Sequence, residues 1–206
     1  SFVFKLKHMK KFESNVLLDQ LQSDVRELLV TAAWLRKEDP GILLEQPEAG
    51  KWSVIQALEH LNSYGRYYLP AIEEALKKPV RSQQYFHPGW LGDYFTTLMA
   101  PKEGAVTNKM KAPRNHRPGF HADAKPVLDE FVEQQHRLLE LLERAKERNI
   151  GAARVPTSLT KLIRLKVGDT FRFFIAHEQR HFVQIRRTLD AVKQATGIFQ
   201  EARRVA

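Results

Sequence analysis

The sequence predicts an all-α protein, a four-helix bundle with a long irregular connection between its second and third helices. Four long segments have apolar residues spaced three or four positions apart, and no segment alternates convincingly between apolar and polar residues over a strand length. The chain has 206 residues, of which 43% are hydrophobic, so one domain can bury a sizeable core without disulfides. We divide it into an N-terminal leader, 1–13, and a bundle domain, 14–206.

The first helical segment runs over residues 14–37, and the Asp39-Pro-Gly sequence ends it. The second opens at Ser53, where the Ser53-Val-Ile-Gln56 pattern is typical of a capping box. Pro70 lies inside this segment, so we expect it to kink the helix or to end it.

The third helical segment runs over residues 125–148, and the sequence Asn149-Ile-Gly ends it. The fourth runs over residues 170–195, with Asp169 as the predicted N-terminal cap and Gly197 as the residue that closes it. These two segments complete the set of four.

The connection over residues 79–121 is rich in proline, glycine, aromatic and basic residues. We expect a short helix over residues 90–99 within it. Connections of this length in compact domains are usually functional or disordered, and the sequence leaves the role of this one open.

Composition excludes several classes of function. The absence of cysteine excludes disulfides, thiolate metal sites and a cysteine nucleophile, and it fits a cytoplasmic location. The longest strongly apolar stretch, 28–35, is too short to cross a membrane. The net charge of +9 leaves a non-catalytic alternative, a basic stress-related protein that contacts nucleic acid or an acidic partner, although no long Lys/Arg run concentrates this charge.

One histidine pair has the spacing of metal ligands. His177 and His181 are four residues apart in the middle of the fourth segment, so both lie on one face, and the neighbouring apolar residues indicate that this face points inward. A divalent cation can bind two such buried imidazoles. The alternative is a pair of core histidines that hydrogen-bond to backbone groups or carboxylates.

His60 is the best candidate for a third ligand, because it lies mid-helix in the second segment and bundle cores build metal sites from facing helices. The remaining five histidines fit less well, since they lie in the leader, in the long connection or alone on a helix: His8, His87, His116, His121 and His136.

These motifs resemble the DinB superfamily. The resemblance rests on Lys51-Trp-Ser-Val-Ile-Gln-Ala-Leu-Glu-His60-Leu and on His177-Glu-Gln-Arg-His181-Phe-Val-Gln-Ile, in this order. It covers roughly residues 14–195. It implies a four-helix bundle that binds one divalent metal ion through three histidines, which map onto His60, His177 and His181.

The resemblance also implies a mostly bacterial, cytoplasmic and often dimeric protein. Some members are thiol S-transferases that use bacillithiol or a similar low-molecular-weight thiol. Three protein ligands leave a metal position open for water or a thiol, so we expect a metal-dependent transferase or hydrolase acting on a small molecule. Zinc or nickel is the expected metal, although imidazole also suits copper and iron.

Residues near the three histidines are further candidates. Gln56, Tyr64 and Gln184 lie one turn from a predicted ligand on its own face and can line the pocket or orient an imidazole. Glu178 is a candidate general base, an acceptor for a ligand imidazole or, the interpretation we favour, the partner of an arginine.

Glu178 also completes a His-Glu-x-x-His motif, which is typical of zinc metalloproteases. The chain shows no strand pattern that would bind a protease substrate along a sheet edge, so we rank this function below the transferase or hydrolase.

Overall fold

The computed structural model describes residues 10–78, 80–102, 110–119, 123–160 and 162–197. Most of these residues are helical, and the predicted all-α class is confirmed. None of the helices in the described part of the chain combines the length and the apolar character needed to span a membrane.

Four long helices form the body of the protein and match the four predicted segments to within a few residues. Helices α3 and α5, α1 and α5, α3 and α6, and α1 and α6 all pack against each other. Their bounds are α1 (Ser14–Leu35), α3 (Val54–Leu76), α5 (Ala124–Ala145) and α6 (Val167–Ala195).

The helix ends confirm some of the predicted caps and correct one. The Ser53 hydroxyl accepts a hydrogen bond from the backbone N–H of Gln56, and the Gln56 side chain accepts one from the backbone N–H of Ser53, so the capping box is present. Helix α3 continues through Pro70, which therefore does not end it. Gly197, with a φ of 75°, follows the end of α6 as predicted.

Asp169 is not the cap of α6. The helix begins earlier, at Val167, and Asp169 lies in its first turn, where its carboxylate accepts a hydrogen bond from the backbone N–H of Gly89. This side chain therefore attaches the long connection to α6 instead of closing the helix N-terminus.

The short elements lie in the segments before and between the long helices. Helix α4 (Trp90–Met99) has the predicted bounds and packs on α6, whereas α2 (Pro40–Leu44), which Asp39 caps, is an addition to the predicted elements. Strands β1 (Phe12–Glu13) and β2 (Tyr85–Phe86) form one antiparallel pair, and β3 (Arg154–Pro156) and β4 (Arg164–Lys166) form another. A 3₁₀ turn at Arg114–His116 contacts α3.

The division at residue 13 remains a prediction. Residues 1–9 lie outside the described part of the chain. Phe12 and Glu13 pair with β2, and Phe12 packs against the core.

The buried side chains form two clusters, and the three histidines lie where the clusters meet. On α3, Leu61 belongs to one cluster and Tyr64 to the other. On α6, Phe182 belongs to the same cluster as Leu61, and Ile175 belongs to the same cluster as Tyr64. The side chains of His60, His177 and His181 therefore form a polar layer between two apolar clusters.

Candidate metal centre

Two helices bring three imidazoles together. His60 comes from the middle of α3, and His177 and His181 come from successive turns of α6. One ring nitrogen of each lies within 4.8 Å of the corresponding nitrogens of the other two. The Nε2 atoms of His60 and His177 are 3.4 Å apart.

Hydrogen bonds fix the tautomer of two of these rings. The Nδ1 of His60 lies 2.7 Å from the backbone carbonyl oxygen of His116, and the Nδ1 of His181 lies 2.9 Å from the Oε1 of Gln184. These oxygens can only accept, so each Nδ1 is the protonated donor. The Nε2 of His60 and that of His181 therefore carry lone pairs, the form in which an imidazole binds a metal.

Burial keeps the three rings neutral. His60 and His177 are buried, and burial lowers the pKa of His60 to about 4 and that of His177 well below its usual value. Burial likewise lowers the pKa of His181 to about 3. At neutral pH no proton therefore competes with a metal ion for these nitrogens.

Aromatic rings surround the cluster. The Trp52 ring lies 4.9 Å from that of His60, the Tyr64 ring lies 4.6 Å from that of His177, and Phe173 stacks on His177 at 6.2 Å. Tyr64 and Phe173 are buried. This apolar wall limits the access of water and strengthens electrostatic interactions inside the site.

The donor set suits a transition-metal ion. Two ligands at about 2.0–2.1 Å from a tetrahedral zinc ion have donor atoms about 3.4 Å apart, and His60 Nε2 lies 3.4 Å from His177 Nε2. Imidazole nitrogen suits zinc, copper, iron and nickel, whereas magnesium and calcium prefer oxygen ligands. The residues present therefore fit a bound transition metal.

The structure places the predicted neighbours in different roles. Gln184 orients His181, and Tyr64 packs its ring edge-on against His60 and His177. The side-chain oxygen of Gln56 accepts hydrogen bonds from the backbone N–H of Ser53 and from the side-chain amide of Gln46. The side-chain nitrogen of Gln56 lies 3.4 Å from the carbonyl oxygen of Gly119. Its hydrogen bonds hold the start of α3 and the long connection, not an imidazole.

Glu178 pairs with a glutamine, and the predicted arginine partner is wrong. Its Oε1 accepts a hydrogen bond from the Nε2 of Gln135 on α5 at 2.7 Å, and among the described residues its Oε2 has no partner. Burial raises the pKa of Glu178 to about 8. An arginine would have stabilised the ionised form of Glu178. With Gln135 as its neighbour, the protonated, neutral form of Glu178 is the stable one at pH 7.

Sequence reasoning missed His116. It comes from the long connection, yet it is buried, its carbonyl orients His60, and its ring stacks on Tyr64 with centroids 3.8 Å apart. No periodicity marks a histidine in an irregular segment, so only the tertiary structure shows this contact. His8 and His121 lie outside the described residues.

Comparison with known proteins shows the family of this chain. The sequence model of the DinB superfamily matches residues 17–185, a span that contains all three histidines. The chain belongs to the DinB superfamily. No curated protein and no solved structure gives a significant match to it.

Proposed function

We propose that this DinB-family protein binds one divalent metal ion through His60, His177 and His181 and uses it in a reaction on a small molecule. A thiol S-transferase ranks ahead of a hydrolase. The observation that carries the proposal is the convergence of three imidazoles between α3 and α6. The rings of His60 and His181 are held by hydrogen bonds in the tautomer that leaves Nε2 free. Such a set of three ligands is typical of catalytic metal sites, in which a further position stays open.

When bound, the metal supplies a Lewis acid that stabilises the deprotonated form of a water or thiol beside it. The chain contributes the geometry. The carbonyl of His116 and the amide of Gln184 hold the imidazoles of His60 and His181 in place. Trp52 and Tyr64 keep the surroundings apolar, which makes the charged nucleophile less hydrated and more reactive.

A thiol transfer by this chain would need a diffusible thiol. The chain has no cysteine, so the sulfur in an S-transfer reaction must come from a co-substrate, which we take to be a low-molecular-weight thiol. The reaction would form a bond between that sulfur and an electrophilic carbon, with departure of the leaving group and release of the thiol proton. Zinc and nickel are the metals we place first.

Elemental analysis of the purified protein, followed by a conjugation assay, tests this proposal. We expect about one metal ion per chain and metal-dependent coupling of a small thiol to an alkylating electrophile. His60→Ala abolishes both, whereas His136→Ala, which changes an exposed histidine, changes neither. Metal retention by His60→Ala would refute the ligand set. Ester cleavage without thiol coupling would favour the hydrolase.

Family membership supports two further parts of the proposal, a cytoplasmic location and a homodimer. Sedimentation equilibrium tests the second part. A mass near 48 kDa, twice the 23.9 kDa of one chain, supports the dimer, and a mass near that of one chain contradicts it.

A further inference from the structure

His116 is a buried residue in a segment whose other residues are exposed or half-buried. Among the described residues 110–119 it is the one buried side chain, although the flanking Arg114 and Arg117 are exposed. Its ring lies nearly parallel to that of Tyr64, with an angle of 20° between the planes. The long connection therefore turns this imidazole towards α3 and away from solvent.

The hydrogen bonds of Ser63 decide which nitrogen of His116 carries the proton. The Ser63 hydroxyl donates to the backbone carbonyl of His60 at 2.7 Å, and its oxygen lies 2.9 Å from the Nδ1 of His116. The single hydroxyl proton is already used, so Ser63 can only accept from His116. The Nδ1 of His116 is therefore protonated, and its Nε2 is an unprotonated acceptor.

This acceptor has no donor within the described protein. The Nε2 of His116 is buried and makes no hydrogen bond to any described residue. Buried polar atoms in native proteins are normally paired, so an unpaired lone pair indicates a missing partner.

The metal centre is adjacent to His116. Its carbonyl accepts from the Nδ1 of His60, and Tyr64, on which its ring stacks, also contacts the rings of His60 and His177. Its Nε2 is not among the nitrogens that lie within 4.8 Å of one another, so it is not part of the ligand set. A small molecule held beside the three imidazoles would supply the donor that the described residues lack.

We propose that His116 is a substrate-binding residue of this centre, and that its Nε2 accepts a hydrogen bond from an N–H or O–H group of the small molecule bound there. The inference rests on the proposed function, because it needs a metal-held ligand. It predicts a preference among ligands. Molecules with a hydrogen-bond donor next to their metal-binding atom bind more tightly than molecules without one.

Two substitutions test the roles of the two ring nitrogens of His116 separately. In His116→Gln the side-chain amide reaches the position of Nε2, whereas in His116→Asn it reaches only that of Nδ1 and keeps the bond to Ser63. His136→Asn, on the exposed face of α5, is the matched control. Each protein is loaded with Co²⁺, and its visible spectrum is used to measure cobalt affinity and the binding of acetohydroxamate, which has an N–H donor, and of propionate, which has none.

We expect all four proteins to bind cobalt with similar affinity and to bind propionate within about threefold of each other. His116→Asn binds acetohydroxamate about tenfold more weakly than the parent, the size of one lost hydrogen bond, and His116→Gln restores most of this loss. Equal binding of acetohydroxamate by the parent and His116→Asn would overturn the proposal. Loss of cobalt from His116→Asn would also overturn it, since His116 would then act through His60. A parent protein that takes up no cobalt would instead refute the proposed function itself.

Discussion

Burial decides the chemistry of the three histidines at the scale of the single residue. A water-exposed imidazole is partly protonated near pH 6.5, and a protonated ring has no lone pair with which to bind a metal. In this protein burial lowers the pKa of His60 to about 4 and that of His181 to about 3. The folded protein therefore keeps these rings in the neutral form that can bind a metal, and the arrangement reduces its stability in acid.

The metal-free protein should lose stability as the pH falls from about 6.5 towards 4. In this range the unfolded chain takes up protons on these histidines and the folded chain does not, so the free energy of unfolding falls by about 1.4 kcal/mol per pH unit for each such histidine. Urea unfolding in the presence of a chelator measures this slope. His181→Gln should reduce the slope by the contribution of one histidine, about 1.4 kcal/mol per pH unit. Gln194→Ala, which changes an exposed residue without an ionisable group, should leave the slope unchanged. Equal slopes in all three proteins would show that the ring of His181 titrates normally.

Gln184 should influence metal affinity without touching the metal. Its Oε1 accepts from the Nδ1 of His181 at 2.9 Å and so holds that ring in position. We expect Gln184→Ala to weaken zinc binding by about 10- to 100-fold, the effect typical of a lost orienting partner. Competition with a chromophoric chelator measures the affinity. Gln194→Ala, on an exposed position of the same helix, should bind as the parent does.

At the scale of the element, the sequence predicted the secondary structure correctly where donor and acceptor of each hydrogen bond lie only a few residues apart. The capping box at Ser53 and Gln56 and the short helix at Trp90–Met99 were predictable for this reason. Asp169 was not, because its partner is the backbone of Gly89, 80 residues away in the chain. Asp169 is the third residue of α6 and makes a tertiary contact, which the periodicity of the helix does not reveal.

Removal of the capping box should weaken the start of α3, the helix that carries His60. Ser53 is buried, and its hydroxyl accepts from the backbone N–H of Gln56 at 3.1 Å. We expect Ser53→Ala to lower the free energy of unfolding by about 1 kcal/mol. Chemical denaturation measures the change. Ser82→Ala, at an exposed position outside the helices, should have no measurable effect, and an equally stable Ser53→Ala protein would show that the cap contributes nothing.

At the scale of the whole molecule, the four long helices and the proximity of His60 to His177 and His181 followed from patterns in the sequence. Helical spacing fixes which face of a helix carries each histidine, and the packing of α3 on α6 brings these faces together. The contacts of His116 and Glu178 did not follow. The first depends on the path of a long irregular connection. The second depends on which α5 residue faces α6, and this turned out to be Gln135.

Metal binding should stabilise the entire fold, because the three ligands join α3 to α6. A ligand that binds only the folded state at 100 times its Kd adds about 2.7 kcal/mol to the free energy of unfolding. For a domain of this size that raises the Tm by about 5–10 °C. Differential scanning calorimetry with zinc and after chelation measures the shift. His177→Ala should show no shift, and a zinc-dependent rise in this variant would place the stabilising ion elsewhere.

A crystal structure of the zinc-loaded protein, with anomalous diffraction recorded at the zinc edge, tests the central claim most directly. The account predicts one strong anomalous peak per chain, about 2.0–2.1 Å from one ring nitrogen each of His60, His177 and His181. A peak bound by other residues, or no peak between these imidazoles at saturating zinc, would contradict it.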